Sequence, residues 1–284
     1  MRVVLLGTKG GPRVSATDCG PGHVLLSGDR VVLVDCGQGV PQQLLRAGIE
    51  PSAVTDIVIT HHHSDHNTAL GTVLMAAWAH GLRRPLRVHG PEPIERIVAA
   101  HLEANAYDID IRVADEGRPD LRDLVAVSTI DGGEARQLGS VRMRAARVRH
   151  APVEPALAYR FDAEGVSVVF SGDTGPSEEL IALAAGADDL VHEVIAPELL
   201  RPFDTNATNS SWTELHRHLV ESHTSVHDLG EIAQRAGVKR LTLSHIVPAA
   251  TFDRIDWKGA LARSFTGDIV KGTDLMEFTV GRRH

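Results

Sequence analysis

Asp56-Ile57-Val58-Ile59-Thr60-His61-His62-His63-Ser64-Asp65-His66-Asn67 is the stretch on which the reading of this chain turns. Its first four residues make a β-rich apolar run of strand character. After it, Thr68 to Gly81 place apolar side chains at helical spacing. His61, His63, Asp65 and His66 therefore fall in the turn between a strand and a helix. Two residues apart on extended backbone, His61 and His63 present their rings to one face. Asp65 and His66 follow where the chain starts to coil, and can point back into the same volume. Neutral imidazole and carboxylate are donors that zinc and its borderline neighbours accept. A solvated His-rich loop is the competing explanation. It loses ground because isolated residues further along complete a ligand set.

The pattern His61-x-His63-x-Asp65-His66 after an apolar strand resembles the metal motif of the metallo-β-lactamase superfamily. Marks that resemble its ribonuclease Z-like and arylsulfatase-like branch recur along the chain. They are Ser171-Gly172-Asp173-Thr174, His192-Glu193, Ser222-His223-Thr224-Ser225 and Leu243-Ser244-His245. The resemblance covers nearly the whole chain. It implies an α/β fold, the αββα sandwich of two mixed sheets face to face with outer helices, in one domain over residues 1–284. Periodicity alone does not separate this from a doubly wound sheet.

The same resemblance implies a dinuclear site. His61, His63 and His150 would hold one divalent ion, Asp65, His66 and His245 the other, and Asp173 would bridge. Zinc is the expected metal, with manganese or iron as alternatives. Asp35 matches a carboxylate that supports a metal-bound histidine, because a ligand ring needs an acceptor for its other N–H. Asp65 would also take a proton from the attacking water. Glu193 and His223 would assist the leaving group, since a protonated imidazole can give a proton to a departing alkoxide. No G-x-S-x-G elbow offers a competing nucleophile.

Composition bounds the rest. With 284 residues, 43% hydrophobic and 23% charged, the chain has the make-up of a globular protein with a sizeable core. Only Cys19 and Cys36 are present, too few for a disulfide framework, which points to reduced thiols and a cytoplasmic location. The run Val3 to Leu6 is too short for a secretory segment, and no run approaches membrane-spanning length.

Coarse elements follow from pattern. Val24 to Leu26 and Val31 to Val34 read as a hairpin, as do Ala156 to Phe161 and Val166 to Phe170. Tyr107 to Pro119 and Arg201 to Ser211 are polar and read as surface segments that cover the site. Ser225 is the expected N-cap of a helix over Val226 to Ala236.

Substrate class is argued from charge and from what is missing. The net charge is −8, and only Ala151 to Gly172 separate His150 from Asp173, leaving no room for a basic exosite arm. Phosphate contacts by Lys and Arg supply much of RNA affinity, so the chain reads as poorly equipped for structured RNA. The expectation is a metal-dependent hydrolase of a small-molecule ester, arylsulfatase-like or phosphodiesterase-like, with no membrane partner and a homodimer left open. The alternatives are a ribonuclease Z-type RNA endonuclease, a lactonase or carboxylic esterase, and a non-catalytic metal-fold binding protein. The full ligand set favours an enzyme.

Overall fold

Val3 to Leu6 is apolar at every position instead of alternating, so both faces of this strand must be covered. The computed structural model, which describes residues 1–202 and 211–282, shows how. The N-terminal half runs β1 (Arg2–Gly7), β2 (Gly22–Ser27), β3 (Arg30–Val34), α1 (Val40–Arg46), β4 (Asp56–Val58), α2 (Ser64–Asn67), α3 (Leu70–Ala79) and β5 (Leu86–Gly90). Then come α4 (Ile94–Ala104), α5 (Ala106–Glu116), α6 (Leu121–Leu124), β6 (Val125–Thr129), β7 (Ala135–Leu138), β8 (Val141–Arg147), β9 (Leu157–Ala163) and β10 (Val166–Phe170). The remainder is α7 (Glu178–Ala184), β11 (Asp189–Ile195), α8 (Trp212–Ser222), α9 (Leu229–Ala236), β12 (Arg240–Val247), α10 (Trp257–Ala262), β13 (Asp268–Lys271) and β14 (Met276–Thr279).

Among the described residues the strands form two sheets of seven, in the orders β14-β1-β2-β3-β4-β5-β6 and β13-β12-β11-β10-β9-β8-β7. Both are mixed: β3 to β6 and β10 to β13 pair in parallel, while β1 to β3 and β7 to β10 are antiparallel. Leu5, Leu25, Val32, Tyr159, Phe161 and Phe170 fill the space between the sheets. Val4, Leu6, Leu33 and Ile57 point the other way and pack under Leu44 of α1 and Leu70 and Leu74 of α3. Val169, Leu190 and Leu241 do the same beneath Leu180 of α7 and Leu229 of α9. Burial on both faces explains the unbroken apolar runs. The αββα sandwich is therefore the fold.

Two local expectations differ. Tyr107 to Pro119 is not a loop: most of it is α5, an amphipathic helix whose Ile109 is buried in the outer core with Trp78 and Val98. Its acidic surface is tied down by Arg112, which bridges Asp108 and Glu116 one turn to either side. The helix after Ser225 starts at Leu229, with Asp228 at its N-cap, and Ser225 Oγ instead donates to the Asp228 carboxylate. Most of Arg201 to Ser211 lies outside the described residues.

Candidate metal centre

The parallel strands converge with their C-terminal ends at one edge of the sandwich, where loops from both sheets meet. β4 delivers Thr60 to His63 in extended backbone, and α2 then turns Asp65 and His66 inward. β8 ends before His150, β10 before Asp173, and β12 carries His245.

Each ring is aimed by a second bond. Asp35, at φ 61 just after β3, accepts the Thr60 backbone N–H at 2.8 Å and the His66 Nδ1–H at 2.8 Å. A short polar side chain tolerates that left-handed backbone. His66 Nε2 is thereby left 3.3 Å from Asp173 Oδ1 and 3.8 Å from Asp65 Oδ2. The Thr60 hydroxyl is 3.1 Å from His61 Nδ1, and His61 Nε2 lies 3.9 Å from Asp173 Oδ2. His150 donates Nδ1–H to the Ser222 carbonyl at 2.9 Å, which brings its Nε2 to 3.0 Å from His63 Nδ1.

Two turns do the finest positioning. Gly172, at φ 58, makes the bend before Asp173, and a Cβ there would meet Leu157 O at 2.7 Å. His245 is the extra residue of a β-bulge: Glu193 pairs with Ser244 and Val194 with Ile246, and His245 sits between them at φ 42. The bulge swings its Nε2 to 3.3 Å from Asp65 and 3.2 Å from Asp173.

The structure thus brings together all seven residues singled out as ligands. His61, His63, His150 and Asp173 form one group of donor atoms within 4.8 Å of one another; Asp65, His66 and His245 form a second; and Asp173, His223 and His245 form a third that overlaps both. His61 Nε2, His66 Nε2 and Asp173 Oδ1 are buried with no protein partner. Each such orphan costs about 1–3 kcal/mol unless something binds it. Burial, with neighbouring imidazoles, holds His61 well below the usual imidazole range and brings His63 down to about 4, which keeps both in the neutral, ligating form. Asp35, Asp65 and Asp173 add three buried carboxylates in the same volume. Orphaned ring nitrogens facing carboxylates fit a divalent cation.

Beside this cluster, Glu193 Oε1 accepts from His223 Nδ1 at 3.0 Å and from the backbone N–H groups of Thr174 and Thr224 at 3.0 and 3.2 Å. Burial disfavours a charged His223, yet the Glu193 charge and hydrogen bond prevail and push it up to about 9. Glu193 and His192 lie inside β11, which runs on to Ile195.

Sequence reasoning named Ser222 only as part of the Ser222-His223-Thr224-Ser225 mark, with no role of its own, and did not single out His218. The Ser222 contribution is a backbone carbonyl, which no residue type announces. His218 sits mid-helix on α8, where a polar residue is ordinary.

The family model described as "Beta-lactamase superfamily domain" matches residues 30–246. A Ribonuclease Z of Mycobacterium bovis (strain BCG / Pasteur 1173P2) is 33% identical over 287 residues, covering 100% of this chain and 99% of the relative. A Ribonuclease Z of Mycobacterium sp. (strain KMS) is 36% identical over 280 residues, covering 97% and 94%. Among solved structures, the metallo-beta-lactamase fold protein YhfI from Bacillus subtilis has a TM-score of 0.73 at 18% identity, with 98% of each chain covered. Human tRNase Z, short form, has a TM-score of 0.69 at 18% identity, with 99% of each covered.

The expected partners need correcting. A small-molecule ester substrate, with the chain poorly equipped for structured RNA, does not agree with full-length relatives named as ribonucleases. The error was to read a net charge averaged over 284 residues as if it described the site. The missing arm is no ground for exclusion either, because those relatives match from end to end. Among the described residues, no helix is long and apolar enough to cross a membrane. The chain belongs to the metallo-β-lactamase superfamily, in its ribonuclease Z-like branch.

Proposed function

We propose that this protein is a metal-dependent RNA endonuclease of the ribonuclease Z type, with two divalent ions, zinc by preference, as its cofactors. The observation that carries the reading is the end-to-end likeness, at 33% identity, to a protein of that name. Two groups of donor atoms that share no residue, His61, His63, His150 and Asp173 beside Asp65, His66 and His245, support the metal count. A cytoplasmic location goes with it, supported by two free cysteines.

Bound divalent ions would supply Lewis acidity and an activated water. The chain's own residues do the rest. His61, His63 and His150 would hold one side, and Asp65, His66 and His245 the other. Asp173 lies between them, with Oδ1 3.3 Å from His66 Nε2 and Oδ2 3.9 Å from both His61 Nε2 and His150 Nε2. Asp65 Oδ2 takes the proton that the attacking water gives up. On the far side the P–O bond to the leaving nucleotide breaks, and the departing oxygen needs a proton. His223 supplies it from Nε2, while Glu193 holds Nδ1–H and favours the protonated ring.

The direct test is to incubate metal-loaded protein with precursor tRNA at low salt, alongside a nitrophenyl phosphodiester and a nitrophenyl sulfate. Site-specific cleavage of the tRNA is expected. Turnover of the nitrophenyl compounds with the tRNA left intact would overturn the reading.

A further inference from the structure

His218 stands beside the centre without a role in the account above. Its ring centroid is 6.0 Å from that of His63, 5.9 Å from His150 and 6.0 Å from His223. Yet it belongs to none of the groups of donor atoms. It is only half-buried, whereas His150 and His223 are buried, so it lies on the solvent side of them. It borders whatever the cluster holds without being part of the cluster.

Its hydrogen bonding fixes which nitrogen it offers. The Ser222 hydroxyl donates to the Ala151 carbonyl at 2.5 Å, so its oxygen is left to accept the His218 Nδ1–H at 3.2 Å. Nε2 has no protein partner among the described residues and, on a neutral ring, presents a lone pair. Phosphate oxygens are acceptors and do not pair with it. In RNA the donor beside a scissile phosphate is the ribose 2′-hydroxyl, which DNA lacks.

We propose that His218 accepts a hydrogen bond from the ribose 2′-hydroxyl next to the scissile phosphate and so makes the site prefer RNA to DNA at that nucleotide. This rests on the RNA reading given above. It makes His218 a specificity-determining residue that leaves the metals and the proton transfers to others.

The test uses metal-loaded protein and a precursor tRNA carrying a single 2′-deoxynucleotide immediately 5′ or 3′ of the cleaved bond. The wild type should lose about five- to tenfold in kcat/KM on one of the two, the worth of one hydrogen bond. His218→Ala should cleave the ribo and deoxy substrates with equal kcat/KM while its metal content stays that of the wild type. His218→Phe keeps the ring's bulk without the acceptor and should lose the discrimination too. A ribo-to-deoxy ratio in both variants equal to the wild type's, or a wild-type ratio of one at both positions, overturns the role of His218 alone. A wild type that turns over the nitrophenyl phosphodiester but cuts no RNA overturns the RNA reading, and this inference with it.

Discussion

Asp35 touches no substrate, yet three groups depend on it: the His66 ring, the Thr60 backbone N–H and the Thr60 hydroxyl. It sets the His66 tautomer, and through Thr60 it steadies His61. Replacing it by Asn keeps the size and the tolerance of φ 61 but removes the charge. Asp35→Asn should weaken zinc binding about 10–100-fold, measured by competition with a chromophoric chelator, with circular dichroism unchanged. Unaltered affinity would count against the supporting role. Asp173 faces both groups of donors, His66 and His245 on one side and His61 and His150 on the other, so Asp173→Ala should cost more metal and more turnover than that outer change, again with secondary structure kept. A variant that keeps full stoichiometry by elemental analysis and full rate would contradict the assignment. His223 differs in kind, because its effect depends on the substrate. His223→Ala should slow cleavage of an alkoxide leaving group by roughly 10²–10⁴-fold, and nitrophenolate far less, since that group departs with little protonation. Equal losses along a leaving-group series would rule out the proton-donor role.

At the scale of elements, the site is a set of strand ends, and the strands hold it in register. Asp56 opens β4 with no exposure to solvent and binds β5 alongside through Arg87 at 2.7 and 3.1 Å and His89 at 3.4 Å. Burial favours its neutral form, but hydrogen bonds from His89 and Arg87 win and hold it well below the usual carboxylate range. A depressed folded-state pKa means stability that is present above the unfolded value of about 3.9 and lost as pH falls below it. Asp56→Asn should therefore cost about 1–3 kcal/mol near neutral pH, discounted because Arg87 is over a third exposed. Urea midpoints of the two proteins should converge below about pH 4; a gap as wide at pH 3 as at pH 7 would refute the clamp. The same elements show what could be read in advance. β4 and β10 were legible because both faces are buried and each unbroken apolar run ends in a ligand motif. β7 and β13 were not: they are sheet edges in which only Leu138 is buried, and Ala135-Arg136-Gln137-Leu138 has too little apolar material to signal a strand. The helix α5 was missed because a single residue, Ile109, is buried while ion pairs hold the surface. The bulge at His245 comes from pairing with β11, which a linear pattern does not contain.

At the scale of the whole molecule, the proposed RNA reading raises the question of how an acidic chain would engage a polyanion. The sequence carries 37 Asp and Glu against 29 Lys and Arg. Many of those cations are already committed: Arg112 to Asp108 and Glu116, Arg122 to Asp110 and Asp120, Arg144 to Asp162, and Arg147 to Asp131. Of the arginine run that leads into His150, Arg142 and Arg149 are exposed and, among the described residues, engaged in no ion pair. On the RNA reading, Arg149, one residue before His150, would supply phosphate contacts beside the centre, while Arg142 lies at the opposite end of β8. Counterion release converts that into a number. Each phosphate neutralised on a single strand contributes roughly −0.7 to the slope of log K against log salt, so two to four contacts give about −1.5 to −3. Anisotropy titrations of a labelled precursor tRNA, in metal-free protein so that cleavage and metal–phosphate contacts do not intervene, should return a slope in that range. A slope near −7, the mark of about ten contacts, would require a basic surface that these ion pairs do not leave open. In that case charge outside the described residues, or supplied by a second copy of the chain, would have to carry the RNA.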